Sequence, residues 1–300
     1  QPDALENIGR AAFAVLALVV PLQLLATLAD GSGVLSPSLF IFSIYQYLQY
    51  VPVVFVGLFL IAMSSLSGSP MFRPWLYVLT VLMGAYAIFS WSMLALALLV
   101  SGMLCLALQR MLIAREYAPS IVLLTLALTG GTVALVYVAM TSQPGVPGAD
   151  LDAVNLSARV LEGRLSYHER WGFYLSGISG EWSQALLGHA ESPSRDLYPS
   201  ALNYYLDFAY NFGLIGIAPL MALAGYTVFA LIRWRRALWR SPACAGLASV
   251  LLFVLFVDSS FKVGLRQPYP GIIVFFLWGV LLSLTALKKH SRDGTQARET

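Results

Sequence analysis

From Thr141 to Leu202 the chain reads TSQPGVPGADLDAVNLSARVLEGRLSYHERWGFYLSGISGEWSQALLGHAESPSRDLYPSAL, a polar interval of about sixty residues in an otherwise apolar sequence. Hydrophobic residues make up 58% of the chain and charged residues 11%, a balance outside the range of soluble globular domains. A spanning helix needs roughly 20 mostly apolar residues, because it rises ~1.5 Å per residue through ~30 Å of hydrocarbon. Eight such runs flank the interval: Ile8 to Leu28, Leu39 to Met63, Arg73 to Phe89, Trp91 to Leu108, Pro119 to Met140, Leu206 to Ile232, Ala243 to Val257 and Pro270 to Leu287. The third and fourth come from one nearly continuous apolar stretch, Trp75 to Leu108, divided at Ser90-Trp91-Ser92. Two short spans joined by a tight turn fit that length better than one helix of about 50 Å.

This patterning predicts an all-α polytopic integral membrane bundle with about eight spans and a large extracytoplasmic loop containing short amphipathic helices. Residues 1–141 hold about five N-terminal spans, 142–202 the loop, 203–290 about three C-terminal spans and 291–300 a cytoplasmic tail. The first residue is Gln1, and no signal peptide with a small-residue cleavage site precedes the first run. The chain is therefore expected to be a fragment lacking upstream spans.

Orientation follows from Arg and Lys, which are retained on the cytoplasmic side of short loops. One alternate set of loops holds Arg10, Arg73, Arg110, Arg115, Arg233, Arg235, Arg236, Arg240, Lys288, Lys289, Arg292 and Arg298. The opposite set holds only Arg159, Arg164, Arg170, Arg195, Lys262 and Arg266, over a longer polar length. Both termini are thus expected in the cytoplasm and the long interval outside. The net charge of +3 reflects this bias and calls for no nucleic-acid partner. Cys105 and Cys244 fall in or beside apolar runs and read as small packed hydrophobes rather than a disulfide or metal pair.

Within the interval, Gln143-Pro144-Gly145-Val146-Pro147-Gly148 breaks the emerging helix. Leu151, Val154, Leu156, Val160, Leu161 and Leu165 then recur at helical spacing among Asp152, Arg159, Glu162 and Arg164, predicting an amphipathic surface helix. From Tyr167 to Leu187, Tyr, Trp and Leu mix with small polar residues, a composition suited to the headgroup zone. Asn155-Leu156-Ser157 matches the glycosylation acceptor pattern, which arises often by chance.

A longer-range order is present as well: Gly163-Arg164, Glu169-Arg170-Trp171, Leu187-Gly188-His189-Ala190, Asn203-Tyr204-Tyr205-Leu206-Asp207, and Asn211-Phe212-Gly213-Leu214-Ile215-Gly216. It continues through Asp258-Ser259-Ser260-Phe261, Arg266-Gln267-Pro268-Tyr269-Pro270-Gly271 and Phe276-Leu277-Trp278-Gly279. From roughly Leu161 to Leu284, and weakly over Phe89 to Leu98, this order resembles the C-terminal half of the O-antigen ligase and polymerase superfamily of bacterial envelope glycosyltransferases. Two positions depart from that family. Leu202 stands where the family usually has His before the Asn, and Ser90-Trp91 where it often has Ser-Arg.

The resemblance implies a bacterial inner-membrane enzyme that transfers a glycan from undecaprenyl pyrophosphate to an acceptor sugar or lipid at the outer face, without nucleotide sugar, metal or other cofactor. Its implied partners are the lipid-linked oligosaccharide, membrane lipid and polysaccharide-assembly proteins. Such a reaction requires stabilisation of the departing pyrophosphate and positioning and deprotonation of an acceptor hydroxyl. For the first, Arg170 and Arg164 align with the family's loop arginines, and Arg266 lies near Lys262 at the outer end of the closing hairpin; a guanidinium fork suits phosphate oxygens. A lipid headgroup would occupy the same cations. For the second, His189 with Glu191 and His168 with Glu169 are the candidate proton acceptors. Three histidines without ligand spacing argue against zinc.

Ionisable groups at membrane depth carry functional weight by default. Asp207 lies one turn into the sixth run and shares a helix face with Asn203 and Asn211, a polar stripe that, with Tyr204, is expected to line an acceptor cavity. Asp258 and Lys262 are spaced to neutralise each other. Gly213 and Gly216 read as positions of close helix contact. Two other classes compete with the enzyme: a flippase or ion-coupled carrier, for which discontinuous helices and an internal repeat are expected, and a non-catalytic assembly subunit.

Overall fold

The computed structural model describes residues 2–31, 35, 47–90, 92–112, 167–189, 200–234, 238 and 241–299. The fifth apolar run and the expected amphipathic helix from Leu151 lie outside them. Among the described residues helix accounts for 88% and no strand occurs. The helices are α1 (Pro2–Asp30), α2 (Tyr47–Leu66), α3 (Arg73–Phe89), α4 (Met93–Leu112), α5 (Tyr167–Gly180), α6 (Trp182–Leu187), α7 (Tyr204–Arg233), α8 (Pro242–Phe261) and α9 (Pro268–Glu299). A short turn, Gly264–Arg266, joins the last two.

Among the described residues, four helices are long and apolar enough to cross a membrane: Ala4–Ala29, Tyr204–Arg233, Pro242–Phe261 and Pro268–Ala286. At ~1.5 Å per residue the shortest of these, with 19 residues, still reaches across most of a hydrocarbon core. Shorter apolar segments, Tyr50–Leu66, Arg73–Phe89 and Leu94–Gln109, lie in α2, α3 and α4. The long apolar stretch does divide near Ser90: its hydroxyl bonds the Ala87 carbonyl at 2.8 Å and its N–H the Tyr86 carbonyl at 2.9 Å, closing α3 before α4 begins.

The centre of the bundle is α2, packed on α1, α3, α4 and α8. Val56, Phe59, Ile61 and Ala62 are fully enclosed there. Small residues let these helices approach. A Cβ on Gly9 would meet Ser65 Cβ at 2.8 Å, one on Gly57 would meet Val250 at 2.9 Å, and one on Gly246 would meet Ser64 Oγ at 2.2 Å. Lipid tails are as apolar as leucine, so close packing rather than hydrophobic exclusion holds such helices together. Outward faces remain apolar: Leu18, Leu25 and Leu28 on α1 and Phe229 and Ile232 on α7 are all more than half exposed. That surface suits hydrocarbon and would be a liability in water. Between α7 and α9 the Trp278 indole donates to Thr227 Oγ1 at 2.8 Å, a buried polar tie.

Candidate functional site

The first turns of α7 carry the site, and the loop before them is bound tightly to α5 and α7. Asn203 caps α7, its Oδ1 accepting from the N–H groups of Tyr205 at 3.0 Å and Leu206 at 3.1 Å. Asp207 is 2% exposed and turns back onto the preceding loop. Its Oδ1 accepts from the Ala201 N–H at 2.6 Å and its Oδ2 from the Ser200 hydroxyl at 2.7 Å. From α5, Arg170 Nη1 donates to the Ser200 carbonyl at 2.7 Å and Trp171 Nε1 to the Ala201 carbonyl at 3.0 Å. The loop is thereby gripped from both sides, and Leu202 within it adopts φ 52°, the left-handed region.

Helix α7 is broken at Gly213, whose φ 66° and ψ −177° leave the helical range. Gly188, just after α6, adopts φ 85° and ψ −177° and lies directly against the break. A Cβ on Gly213 would stand 2.2 Å from the Leu186 carbonyl oxygen, and one on Gly188 would stand 2.4 Å from that of Asn211. This backbone-on-backbone contact delivers His189 to α7. Its N–H donates to the Tyr210 carbonyl at 2.9 Å, its Nδ1 lies 3.0 Å from the same oxygen, and its ring stacks on Tyr210 with centroids 3.8 Å apart. A carbonyl oxygen only accepts, so Nδ1 carries a proton here, and the tautomer that fits this contact has its lone pair on Nε2.

Arg266 enters from the turn between α8 and α9. Its Nη1 stands 3.7 Å from Asp207 Oδ2, with 58% of the side chain exposed. His189, Tyr204, Asp207, Asn211 and Arg266, with Phe208 and Phe212, line one cavity of about 430 Å³. Behind it, Tyr174 of α5 is buried against Tyr210 at 4.9 Å. Burial pushes the Tyr174 phenol up, Asp207 and Tyr210 add to the rise, and Arg170 and Arg266 oppose it.

Of the residues expected from sequence, His189, Asp207, Arg266, Tyr204 and Asn211 come together in this cavity. Asn203 does not join them, because its side-chain oxygen is committed to the helix cap. Arg170 sits beside the loop as a clamp on Ser200, close enough to influence Tyr174 and Asp207 but outside the cavity lining. Lys262 is buried at 4% exposure near Asp258 and does not line the cavity either. Arg164 and Glu191, and the side chain of His168, lie outside the described residues. Gly213 makes its close contact with the end of α6, at Leu186 and Gly188, while a Cβ on Gly216 would meet Phe212 Cβ within its own helix at 2.5 Å.

Sequence reasoning missed Tyr210, Ser200 and Tyr174. The signal available for Tyr210 was its position next to Asn211, one turn beyond Asp207; nothing local marked Ser200 as the hydroxyl that reaches a carboxylate seven residues ahead. Comparison with family models, with curated proteins and with solved structures gives no match.

Proposed function

We propose that the chain transfers a glycan from a polyprenyl-pyrophosphate donor to an acceptor hydroxyl at the outer membrane face, as a polymerase or ligase of the O-antigen type. The observation that carries this reading is the meeting of a guanidinium, a buried carboxylate and a tautomer-fixed imidazole in one cavity at the end of a membrane-length helix. In this reading the acceptor O–H attacks the anomeric carbon, and the C–O bond to the pyrophosphate breaks. The electron pair leaves with the diphosphate, whose charge Arg266 meets with paired N–H donors. The acceptor proton passes to His189 Nε2, since Nδ1–H is already held by the Tyr210 carbonyl. Asp207 keeps Arg266 in place and anchors the loop at the cavity. Arg170 acts through that loop, while Arg164 remains a donor-binding candidate by resemblance.

The same reading takes the chain to have about eight spans, both termini in the cytoplasm of a bacterial inner membrane and the 142–202 interval outside. The distribution of Arg and Lys supports it. A second reading, movement of a lipid-linked glycan between leaflets, is favoured by one feature: α7 is discontinuous at Gly213, as helices lining transport sites often are. Reconstitution with a lipid-linked oligosaccharide separates the two. Chain growth or transfer that is lost in Arg266→Ala and kept in Arg233→Ala supports the enzyme; glycan that only changes leaflet supports transport.

A further inference from the structure

A cavity of about 670 Å³ lies away from His189 and Asp207, where the start of α1, the α2–α3 turn and the start of α8 converge. Its lining includes Glu6, Ser64, Ser65, Ser67, Arg73 and Ser241. Arg73 is exposed at the start of α3, and among the described residues its guanidinium has no ion-pair partner. A cation at a helix N-terminus is disfavoured by the helix dipole, and the first turns of α3 and α8 contain no acidic residue to offset it. This part of the cavity therefore calls for an anion.

The other wall offers acceptors. Ser64 and Ser65 both donate to the Ile61 carbonyl, at 3.0 and 2.7 Å, so their protons are committed and their oxygens remain to accept. Glu6 gives Oε1 to Arg10 at 2.6 Å, which leaves Oε2 as an acceptor. A ligand matched to both walls bears a phosphate and an N–H-rich cation. Two of the helices that meet here, α1 and α8, are membrane-length, so the cavity stands at their ends, at headgroup depth. Trp75 and Tyr77, both about 60% exposed beside Arg73, are the side chains that settle at a water–lipid boundary.

We propose that this cavity binds the phosphoethanolamine headgroup of a membrane phospholipid, with the phosphate on Arg73 and the ammonium on Glu6, Ser64 and Ser65. The test is lipid binding to the full chain in detergent, read by native mass spectrometry. The probes are phosphatidylethanolamine, phosphatidylcholine, phosphatidylglycerol, and inorganic phosphate with ethanolamine. Phosphatidylcholine keeps the phosphate and cation but has no N–H to donate; phosphatidylglycerol lacks the cation. The unaltered chain retains phosphatidylethanolamine about tenfold more tightly than either, the discrimination expected from one charge-assisted hydrogen bond. Arg73→Ala lowers its retention by about the same factor, and Glu6→Gln narrows the preference over phosphatidylglycerol without weakening phosphatidylglycerol itself. Equal retention of the three lipids, retention unchanged in Arg73→Ala, or displacement of the lipid by inorganic phosphate overturns the proposal. If Arg73→Ala fails to fold, the comparison of the three lipids on the unaltered chain decides alone.

Discussion

Gly188 and Gly213 meet backbone to backbone: a Cβ on Gly188 would stand 2.7 Å from the Gly213 nitrogen, and one on Gly213 would stand 2.6 Å from the Gly188 nitrogen. Both adopt positive φ with ψ near 180°, a region essentially confined to glycine. The contact joins the end of α6 to the interrupted helix α7 and holds His189 on Tyr210. Gly213→Ala and Gly188→Ala are each expected to cost about 2 kcal/mol or more, from backbone strain of ~1–3 kcal/mol plus the clash. Thermal unfolding in detergent measures this, and Gly225→Ala is the control, since an added Cβ there meets nothing within 4 Å.

Asp207 holds the loop through two accepted hydrogen bonds, so its replacement leaves donors unmet. Asp207→Ala strands the Ala201 N–H and the Ser200 hydroxyl, at about 1–3 kcal/mol for each group left unsatisfied. Asp207→Asn keeps one oxygen acceptor and is expected to lose about half as much. Chemical or thermal unfolding of the two variants side by side checks the order. No loss in either variant would mean that the loop is held by Arg170 and Trp171 alone.

Leu202 spends free energy on its backbone. Left-handed φ costs an ordinary L-residue roughly 1–2 kcal/mol, and glycine or asparagine far less. Leu202→Gly is therefore expected to stabilise the protein by up to about 1 kcal/mol, reduced by the extra entropy glycine has when unfolded. A raised unfolding midpoint confirms it; a lowered one would show that the Leu202 side chain contributes more through packing than its backbone loses.

Tyr174 supplies a pH signature. Its folded phenol ionises above the ordinary tyrosine value because it is buried and faces Asp207 and Tyr210. The stability it contributes is fully present below the unfolded value and is lost as pH rises from there through the raised folded value. Wild-type stability should thus fall more steeply than that of Tyr174→Phe as pH climbs past the ordinary phenol range. Unfolding midpoints of the two proteins across alkaline pH give the comparison, and parallel curves would contradict the burial of the Tyr174 phenol.

The helical, membrane-length architecture was legible because hydrocarbon imposes a length and a composition that survive in one dimension. The split at Ser90 was legible for the same reason. Asp207 and Asn211 were readable as one face, since helical spacing alone places them. Asn203 was harder to place: an Asn just before a helix caps as readily as it lines a cavity, and only the bonds to Tyr205 and Leu206 show the capping role. The arginines were harder still. Arg170 and Arg266 carry the same chemistry in sequence, yet one is spent on the Ser200 carbonyl and the other reaches the cavity; that difference depends on a contact thirty residues away. The break at Gly213 gave no separate signal, because glycine in an apolar helix is common and its partner Gly188 lies across a loop.

The central claim is that His189, Asp207 and Arg266 work on one diphosphate-linked glycan. It is tested most directly by single-turnover transfer from a purified polyprenyl-pyrophosphate oligosaccharide to an acceptor by the reconstituted full chain. The account predicts glycan transfer with one polyprenyl diphosphate released per transfer. It also predicts a fall of about a hundredfold or more in Arg266→Ala and in His189→Ala, the range of one electrostatic or general-base contribution. Transfer undiminished in both variants, or no transfer by the unaltered chain while the glycan crosses the bilayer, would contradict it.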